Sequence, residues 1–366
     1  MVNKFGLEIP YINGRGIWGI HGHAGIVPIQ GINCFHGRPL DVSLIRKYAK
    51  QGVAYDAIVW MGPGALQQIL GDDFKKMHIP GDMHLYKSAK VGGTETTWAF
   101  GKGPTRYGVN IFNSGAVDVV CAAAKKLVSQ YKDEPVIMYG MPSGENSFPG
   151  YGSYDEHSRR DWQAFCQQLF GDEAPNIETN GDGATYNSAY AKQFSSWQEV
   201  DRFTKDDFDS NPRTLVLNNL WKCTGQPRYF ASIAAAMHEV KPGLISWPGI
   251  GTEMLDFPRG VDMSLSLASS EVKVVRVDSY GVEEALLMAA FTHPFRKAIL
   301  NVETAVQSKN NYVGMKDLAV SALPYMQGFI WIGYRTPSKD ENDFWSQVAL
   351  IRERGHGDAI KRYDSR

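Results

Sequence analysis

The chain has 366 residues, 43% of them hydrophobic and 21% charged, values that exclude a fibrous or wholly disordered protein. Thirty-eight Lys and Arg against 39 Asp and Glu leave a formal net charge of -1, so no summed field draws the chain to nucleic acid or to an anionic membrane surface. Aromatic residues reach 12%, with nine Trp and seventeen Tyr beside 37 Gly, more flat, half-polar side chains than a core alone requires.

In chain order, Gly31 to Phe35 reads as a short apolar strand, and a helix signalled by Pro39 and Asp41 follows it to about Lys50. Tyr55 to Trp60 reads as a second strand and Tyr107 to Phe112 as a third. Val117, Val120, Cys121, Ala124, Val128 and Tyr131 recur at helical spacing, with Ser114 placed to cap them and Lys125 and Lys126 on the other side. Pro135 then releases a fourth strand, Val136 to Gly140. Helices are expected around Ser158 to Phe170 and Tyr229 to Val240. Further strands follow at Leu244 to Trp247, Lys273 to Asp278, Ala298 to Val302 and Phe329 to Gly333. Between the last three of these come helices at Val282 to Phe291 and Met315 to Gln327, the second stopped by Gly328.

Strand and helix alternate without a low-complexity linker, which predicts one α/β domain over residues 1–366. Eight strands point to a closed (β/α)₈ barrel; an open, doubly wound sheet is the alternative, but neither GxGxxG after a strand nor GxxxxGK[ST] occurs to support it. A plain barrel needs about 250 residues, so the surplus lies in loops. Most of it falls after the fourth strand, where residues 146–243 form a helical insertion carrying Trp162, Trp197 and Trp221. In a barrel such an insertion stands on the C-terminal face, where active sites are built. Cys34, Cys121, Cys166 and Cys223 form neither a CxxC pair nor a disulfide framework. The longest apolar run, Ala285 to Phe291, is too short to span a bilayer. Met1 to Gly6 shows no apolar signal segment, so no secretory leader is expected in the sequence as given, whether the protein is cytoplasmic or exported after processing.

Polar residues placed just after barrel strands face the bowl at the C-terminal face. Glu145 follows the fourth strand in Tyr139-Gly140-Met141-Pro142-Ser143-Gly144-Glu145-Asn146. Glu303 terminates the nearly all-apolar seventh, Ala298 to Val302. Two carboxylates across a bowl are what glycosidic cleavage requires: one protonated for the leaving oxygen, the other ionised to attack or to activate water. Glu253 and Glu271 compete less well, Glu271 because it lies at the start of its strand. Strand alternation puts Asn301 on the face of Glu303, and Arg276 and Asp278 on the face of Tyr280. Trp60, Trp247 and Trp331, at or near strand ends, suit stacking on sugar rings.

These placements resemble the retaining glycoside hydrolases of clan A, and several segments look like the β-galactosidases of family 42 within it. The segments are Gln130-Tyr131-Lys132-Asp133-Glu134-Pro135 leading to the acid-bearing strand; Arg160-Asp161-Trp162-Gln163-Ala164-Phe165 with Phe170-Gly171; Ser195-Ser196-Trp197 with Phe208 to Asn218; Val277-Asp278-Ser279-Tyr280; and Glu303-Thr304. Short matches of this kind run from about Asn110 to Arg335. The resemblance implies a retaining β-glycosidase, with Glu145 as acid/base, Glu303 as nucleophile and Tyr280 orienting the nucleophile. It implies a carbohydrate substrate and no cofactor or metal; oligomeric state stays open.

The chain departs from that pattern in three ways. Gly144 stands where the clan has the Asn that binds the sugar 2-hydroxyl, with Asn146 after the acid instead. Ser143-Gly144-Glu145 followed by Phe148-Pro149-Gly150-Tyr151 is similar to the acid motif of the inverting β-amylases. The clan's arginine on the second strand has no counterpart in Tyr55 to Gly62. An inverting glycosidase using Glu145, and a carbohydrate-binding barrel without catalysis, therefore stand as alternatives. His21-Gly22-His23 near a first strand is also how metal-dependent amidohydrolases begin. That pattern needs further histidines at later strand ends, and His78, His84, His157, His238 and His293 are not so placed.

Overall fold

The computed structural model describes residues 17–21, 34–37, 42–50, 54–58, 63–76, 90–91, 94–95, 111–134, 136–141, 154–178, 183–250, 255–256, 261–262, 265, 275–279, 298–303 and 328–332. The first elements are β1 (Ile17–His21), β2 (Cys34–Gly37), α1 (Val42–Lys50), β3 (Ala54–Ile58), α2 (Pro63–Leu70), α3 (Asp72–Lys76), β4 (Lys90–Val91) and β5 (Thr94–Glu95). Next come α4 (Ser114–Gln130), β6 (Val136–Met141), α5 (Glu156–Phe170), α6 (Tyr186–Tyr190), a 3₁₀ turn (Trp197–Glu199), α7 (Lys205–Ser210) and α8 (Pro212–Val240). The chain continues through β7 (Ile245–Ile250), β8 (Leu255–Asp256), β9 (Val261–Asp262), β10 (Val275–Ser279), β11 (Ala298–Glu303) and β12 (Gly328–Ile332).

Eight strands close on themselves in the order β1-β12-β11-β10-β7-β6-β3-β2. Every neighbouring pair is parallel. Closure removes all sheet edges, and strands covered on both faces read as near-continuous apolar runs, as Ala298–Val302 and Phe329–Ile332 do. β4 with β5, and β8 with β9, are short antiparallel hairpins outside the barrel.

The strand count of eight agrees with the sequence, but two assignments differ and cancel. Ile111 and Phe112 form a turn leading into α4 rather than the end of a strand, and β3 pairs directly with β6. The first barrel strand is instead β1, Ile-Trp-Gly-Ile-His, where Gly19 breaks the apolar run that would have marked it. β6 is therefore still the fourth barrel strand and β11 the seventh. The expected helices at Val282 to Phe291 and Met315 to Gln327 lie outside the described residues, and Gly328 is the first residue of β12.

Asn113, not Ser114, caps α4, its Oδ1 accepting from the Ala116 N–H at 3.3 Å. α4 and α8 pack side by side and run parallel. At their C-terminal ends Lys125 pairs with Glu239, and the Lys241 ammonium donates to the carbonyls of Tyr131 and Glu134 at 3.2 and 2.6 Å. At the N-terminal end of α4, Phe112 stacks on Trp221 with centroids 4.1 Å apart. α8 thus runs on past α4 by its stretch from Pro212 to Trp221, about 14 Å at helical rise.

That overhang packs with α5, α6 and α7 into an aromatic core of Phe112, Trp162, Tyr186, Trp197, Phe203, Phe208 and Trp221 with Cys166, Val200 and Leu217. Trp162 meets Trp221 edge-on at 5.7 Å and Phe203 at 5.3 Å. Local signals set each helix of this unit. Asp155 caps α5 by accepting from His157 and Ser158 N–H, while Thr185 with Ser188 and Thr204 with Asp207 form reciprocal capping boxes. α8 begins with Pro212 at its first position and continues through Pro227, well upstream of the expected start near Tyr229. Pro227 removes one intrahelical donor, and burial of Leu217, Trp221, Gly225, Phe230 and Ile233 along the helix outweighs that loss.

At Gly225 α8 passes close to Phe112: a Cβ there would lie 2.7 Å from Phe112 Cε1 and 2.9 Å from Cζ. The stack on Trp221 prevents that ring from swinging aside. Gly225→Ala is expected to destabilise the protein by about 1–3 kcal/mol through overpacking, outweighing the roughly 1 kcal/mol that helix propensity would return. Urea unfolding checks it; a stabilised variant would show that the α4–α8 contact is loose.

Candidate active site

Four of the eight site residues expected from sequence, Glu145, Asn146, Trp60 and Tyr280, lie outside the described residues. The other four occupy barrel strands. Glu303 is the last residue of β11, Asn301 lies two residues before it, Trp247 is in β7 and Trp331 in β12.

Register ties these strands together. Glu303 pairs with Ile332, and Ile332 with His21, the last residue of β1. Asn301 pairs with Asp278. Register partners on parallel strands share a sheet face and residues two apart return to it, so the two polar sets expected from sequence fall on one face. That face carries Glu303, Asn301, Asp278 and Arg276; the pairing of Arg276 with Gly249 adds Trp247. The same rows continue through His21, His36 of β2 and Asp56 of β3. Trp331 pairs with Val302 and Ile20 and stands on the opposite face from Glu303.

Three further polar residues escaped the sequence reading. His36 sits within β2 and Asp56 within β3. Because the second barrel strand is Cys34–Gly37, the residue following it is Arg38, and Tyr55 to Gly62, which has no arginine, begins in the third strand. The cue was present: a histidine and an arginine closing a short Cys-Phe-His-Gly segment.

The chain leaves β6 at Met141 and is next described at Tyr154, so the segment bearing Glu145 is bounded by a barrel strand and the helical unit. Its downstream end is pinned. The Tyr154 hydroxyl donates to the Phe203 carbonyl at 2.7 Å, and the Arg202 guanidinium lies 4.8 Å from the Tyr154 ring. Arg202 is 4% exposed. It rests on Trp221 at 3.8 Å and on Trp162 at 5.3 Å, and its Nη2 donates to Asn218 Oδ1 at 2.5 Å. Burial pulls its pKa down to about 10, so it keeps its charge at neutral pH and the aromatic faces stabilise that charge. Thr214, Asn218, Lys222 and Gln226, at every fourth position of α8, form a buried polar stripe beside it. Trp162, Trp197 and Trp221 are at most 3% exposed, so the tryptophans of this unit are its core and not sugar platforms. Cys166 and Tyr186, pushed up by burial, are neutral core groups.

Among the described side chains no group of three or more His, Cys, Asp and Glu stands together as a metal site. No described helix is long and apolar enough to cross a membrane.

No family model and no curated relative matches the chain. Solved structures do. A β-galactosidase from the psychrophilic Marinomonas ef1 aligns with TM-score 0.64 at 9% identity, over 94% of this chain and 61% of its own. That of the Antarctic haloarchaeon Halorubrum lacusprofundi gives 0.63 at 11%, over 88% and 54%. An exo-β-agarase gives 0.52 at 15%, over 88% and 45%. At such identities the likeness is one of fold, and the chain spans only 54% to 61% of the length of these two galactosidases.

Proposed function

We propose that the chain is the catalytic barrel of a glycoside hydrolase that cleaves β-glycosidic, galactose-containing bonds with retention, using Glu145 as acid/base and Glu303 as nucleophile. The observation that carries this reading is the place of Glu303: the final residue of the seventh strand, on the face that also bears Asn301, Asp278 and Arg276. A carboxylate ending a strand otherwise covered on both faces is costly to desolvate unless it is used. The likeness in fold to β-galactosidases and an agarase adds support.

In this mechanism protonated Glu145 gives its proton to the leaving oxygen while the Glu303 carboxylate attacks the anomeric carbon. The product of that step is a glycosyl ester. Glu145, now ionised, takes a proton from water, which displaces Glu303 and restores the starting anomer. Arg276 favours the ionised form of a neighbouring carboxylate, and Tyr280 orients the nucleophile. Asn146, Asn301, Trp60 and Trp247 bind the sugar; Trp331, within β12 and on the other strand face from Glu303, is left out of the sugar site. We further propose that residues 1–366 form one barrel domain whose 146–243 insertion stands on the C-terminal face. Barrel helices run back against the strands and so begin at that face, which is the end where α8 overhangs α4.

An inverting reaction with Glu145 as acid is the second reading, favoured by the Ser143-Gly144-Glu145 motif. NMR of the first product released from aryl β-galactosides and galactose-containing polysaccharides separates the two. The β-anomer is expected first; the α-anomer would replace retention with inversion. Sugar binding without cleavage across the panel would make the chain a binding barrel.

A further inference from the structure

We propose, resting on the glycosidase reading, that Arg202 is a positioning residue for the acid step: through Tyr154 it sets the direction in which the chain carrying Glu145 enters the helical unit. Arg202 lies just past the 3₁₀ turn at Trp197–Glu199, and rings enclose its guanidinium, Trp221 at 3.8 Å, Tyr154 at 4.8 Å and Trp162 at 5.3 Å. Trp162 and Trp221 are fully buried, whereas Tyr154 is half-buried and stands outside the aromatic core.

Packing alone does not call for a cation here. A buried charge carries a desolvation cost, and an apolar side chain of similar volume often serves a core as well or better. A guanidinium can do what Met or Leu cannot: being flat, it stacks on several rings while donating in its own plane, here to Asn218 Oδ1 at 2.5 Å. It therefore holds those groups in a fixed relation, and Tyr154 is the one among them that leads out of the core. Tyr154 directly precedes Asp155, the N-cap of α5, and the packing of the residue in that place fixes the angle at which a chain enters its helix. Its ring lies on Arg202 and its hydroxyl donates to the Phe203 carbonyl at 2.7 Å. The stretch that receives it is itself tied down: Gln163 of α5 donates to the carbonyls of Gln198 and Val200 at 3.0 and 2.8 Å, and Val200 and Phe203 are fully buried. At the other end the chain leaves β6 at Met141, which pairs with Pro248 of β7. Glu145 thus belongs to a segment anchored on both sides, by the barrel before it and by Tyr154 after it. Misplacing a reacting group by about 1 Å is enough to cost about 100-fold in rate, so the angle of entry bears on proton transfer even with the fold intact.

The test compares kcat/KM, which reports the first, acid-assisted step, on two β-galactosides. The leaving group of the dinitrophenyl glycoside departs without a proton, and that of the phenyl glycoside needs one. In Arg202→Met and in Tyr154→Ala the phenyl substrate is expected to lose at least about tenfold more than the dinitrophenyl one. Tyr154→Phe, which keeps the ring on the guanidinium, is expected to show a smaller shift. Arg228→Ala breaks the ion pair with Asp161 in the same unit and should keep the wild-type ratio. Folded Arg202 and Tyr154 variants that lose both substrates equally, or neither, overturn the proposal and leave the glycosidase reading standing. An equal shift in Arg228→Ala also overturns it, as a general response of the unit. A wild type that cleaves neither substrate sinks both readings. Should Arg202→Met fail to fold by circular dichroism, Tyr154→Ala decides alone, because it leaves the aromatic core whole.

Discussion

Glu303→Gln is expected to lower kcat on an aryl β-galactoside by about 10⁴–10⁶-fold, as removal of a nucleophile does in other covalent mechanisms, while galactose binding survives. Gln keeps the size and one carbonyl oxygen of Glu but offers neither a negative charge nor a leaving carboxylate. The glycosyl ester then cannot form and break. The change falls at the end of β11, beyond the last of its barrel pairings with β10, so the strand itself should persist. Steady-state kinetics and calorimetric titration with galactose together check the prediction. Undiminished turnover removes Glu303 from the mechanism. Lost turnover with lost binding would instead point to a positioning role. In Glu145→Gln, substrates whose leaving groups need no proton should still form the glycosyl ester, which then accumulates because the variant also lacks the base that activates water in the second step.

The barrel was legible in its later strands because apolar runs such as Ala298 to Val302 mark strands covered on both faces. β1 was not, since Gly19 interrupts it and only pairing with β12 and β2 reveals it. Of the strand expected at Tyr107 to Phe112, the first four residues lie outside the described residues, and the end misled for the converse reason: Phe112 is apolar in order to stack on Trp221, not to line a strand. The upstream half of α8 was hidden by Gly225 and Pro227, residues that normally punctuate a helix and here sit inside one held by packing. Of the candidate site, the residue types were visible and the neighbours were not. Glu303 and Asn301 follow from alternation within one strand. Their alignment with Asp278, and that of His21 with His36 and Asp56, depends on register between strands, which no single segment encodes. The tryptophans of residues 146–243 show the same limit, for spacing cannot tell a core ring from a sugar platform whereas burial can.

Trp221→Ala is expected to be the most destabilising single change in the helical unit, because four interactions meet on that ring. Trp221 is fully buried, stacks on Phe112 at 4.1 Å, meets Trp162 edge-on at 5.7 Å and supports the Arg202 guanidinium at 3.8 Å. Its Nε1 donates to Asp161 Oδ1 at 2.8 Å, and Arg228 holds the same carboxylate at 2.7 and 2.9 Å. Truncation to Ala loses the buried ring and leaves a cavity, about 3–5 kcal/mol. It also strips a buried cation of its aromatic face, worth about 2 kcal/mol when desolvated. Trp221→Phe keeps a ring against Phe112 and Arg202 but removes the donor to Asp161, and Arg228 still satisfies that carboxylate. The expected cost of this variant is only about 1–2 kcal/mol. Urea unfolding of the pair separates the ring from its hydrogen bond. A Trp221→Ala variant within about 1 kcal/mol of wild type would show that the unit does not depend on this junction. If the Arg202–Tyr154 contact holds the downstream end of the Glu145 segment, the folded fraction of Trp221→Ala should also lose kcat while KM changes little, since the acid would be misplaced before the sugar platforms are.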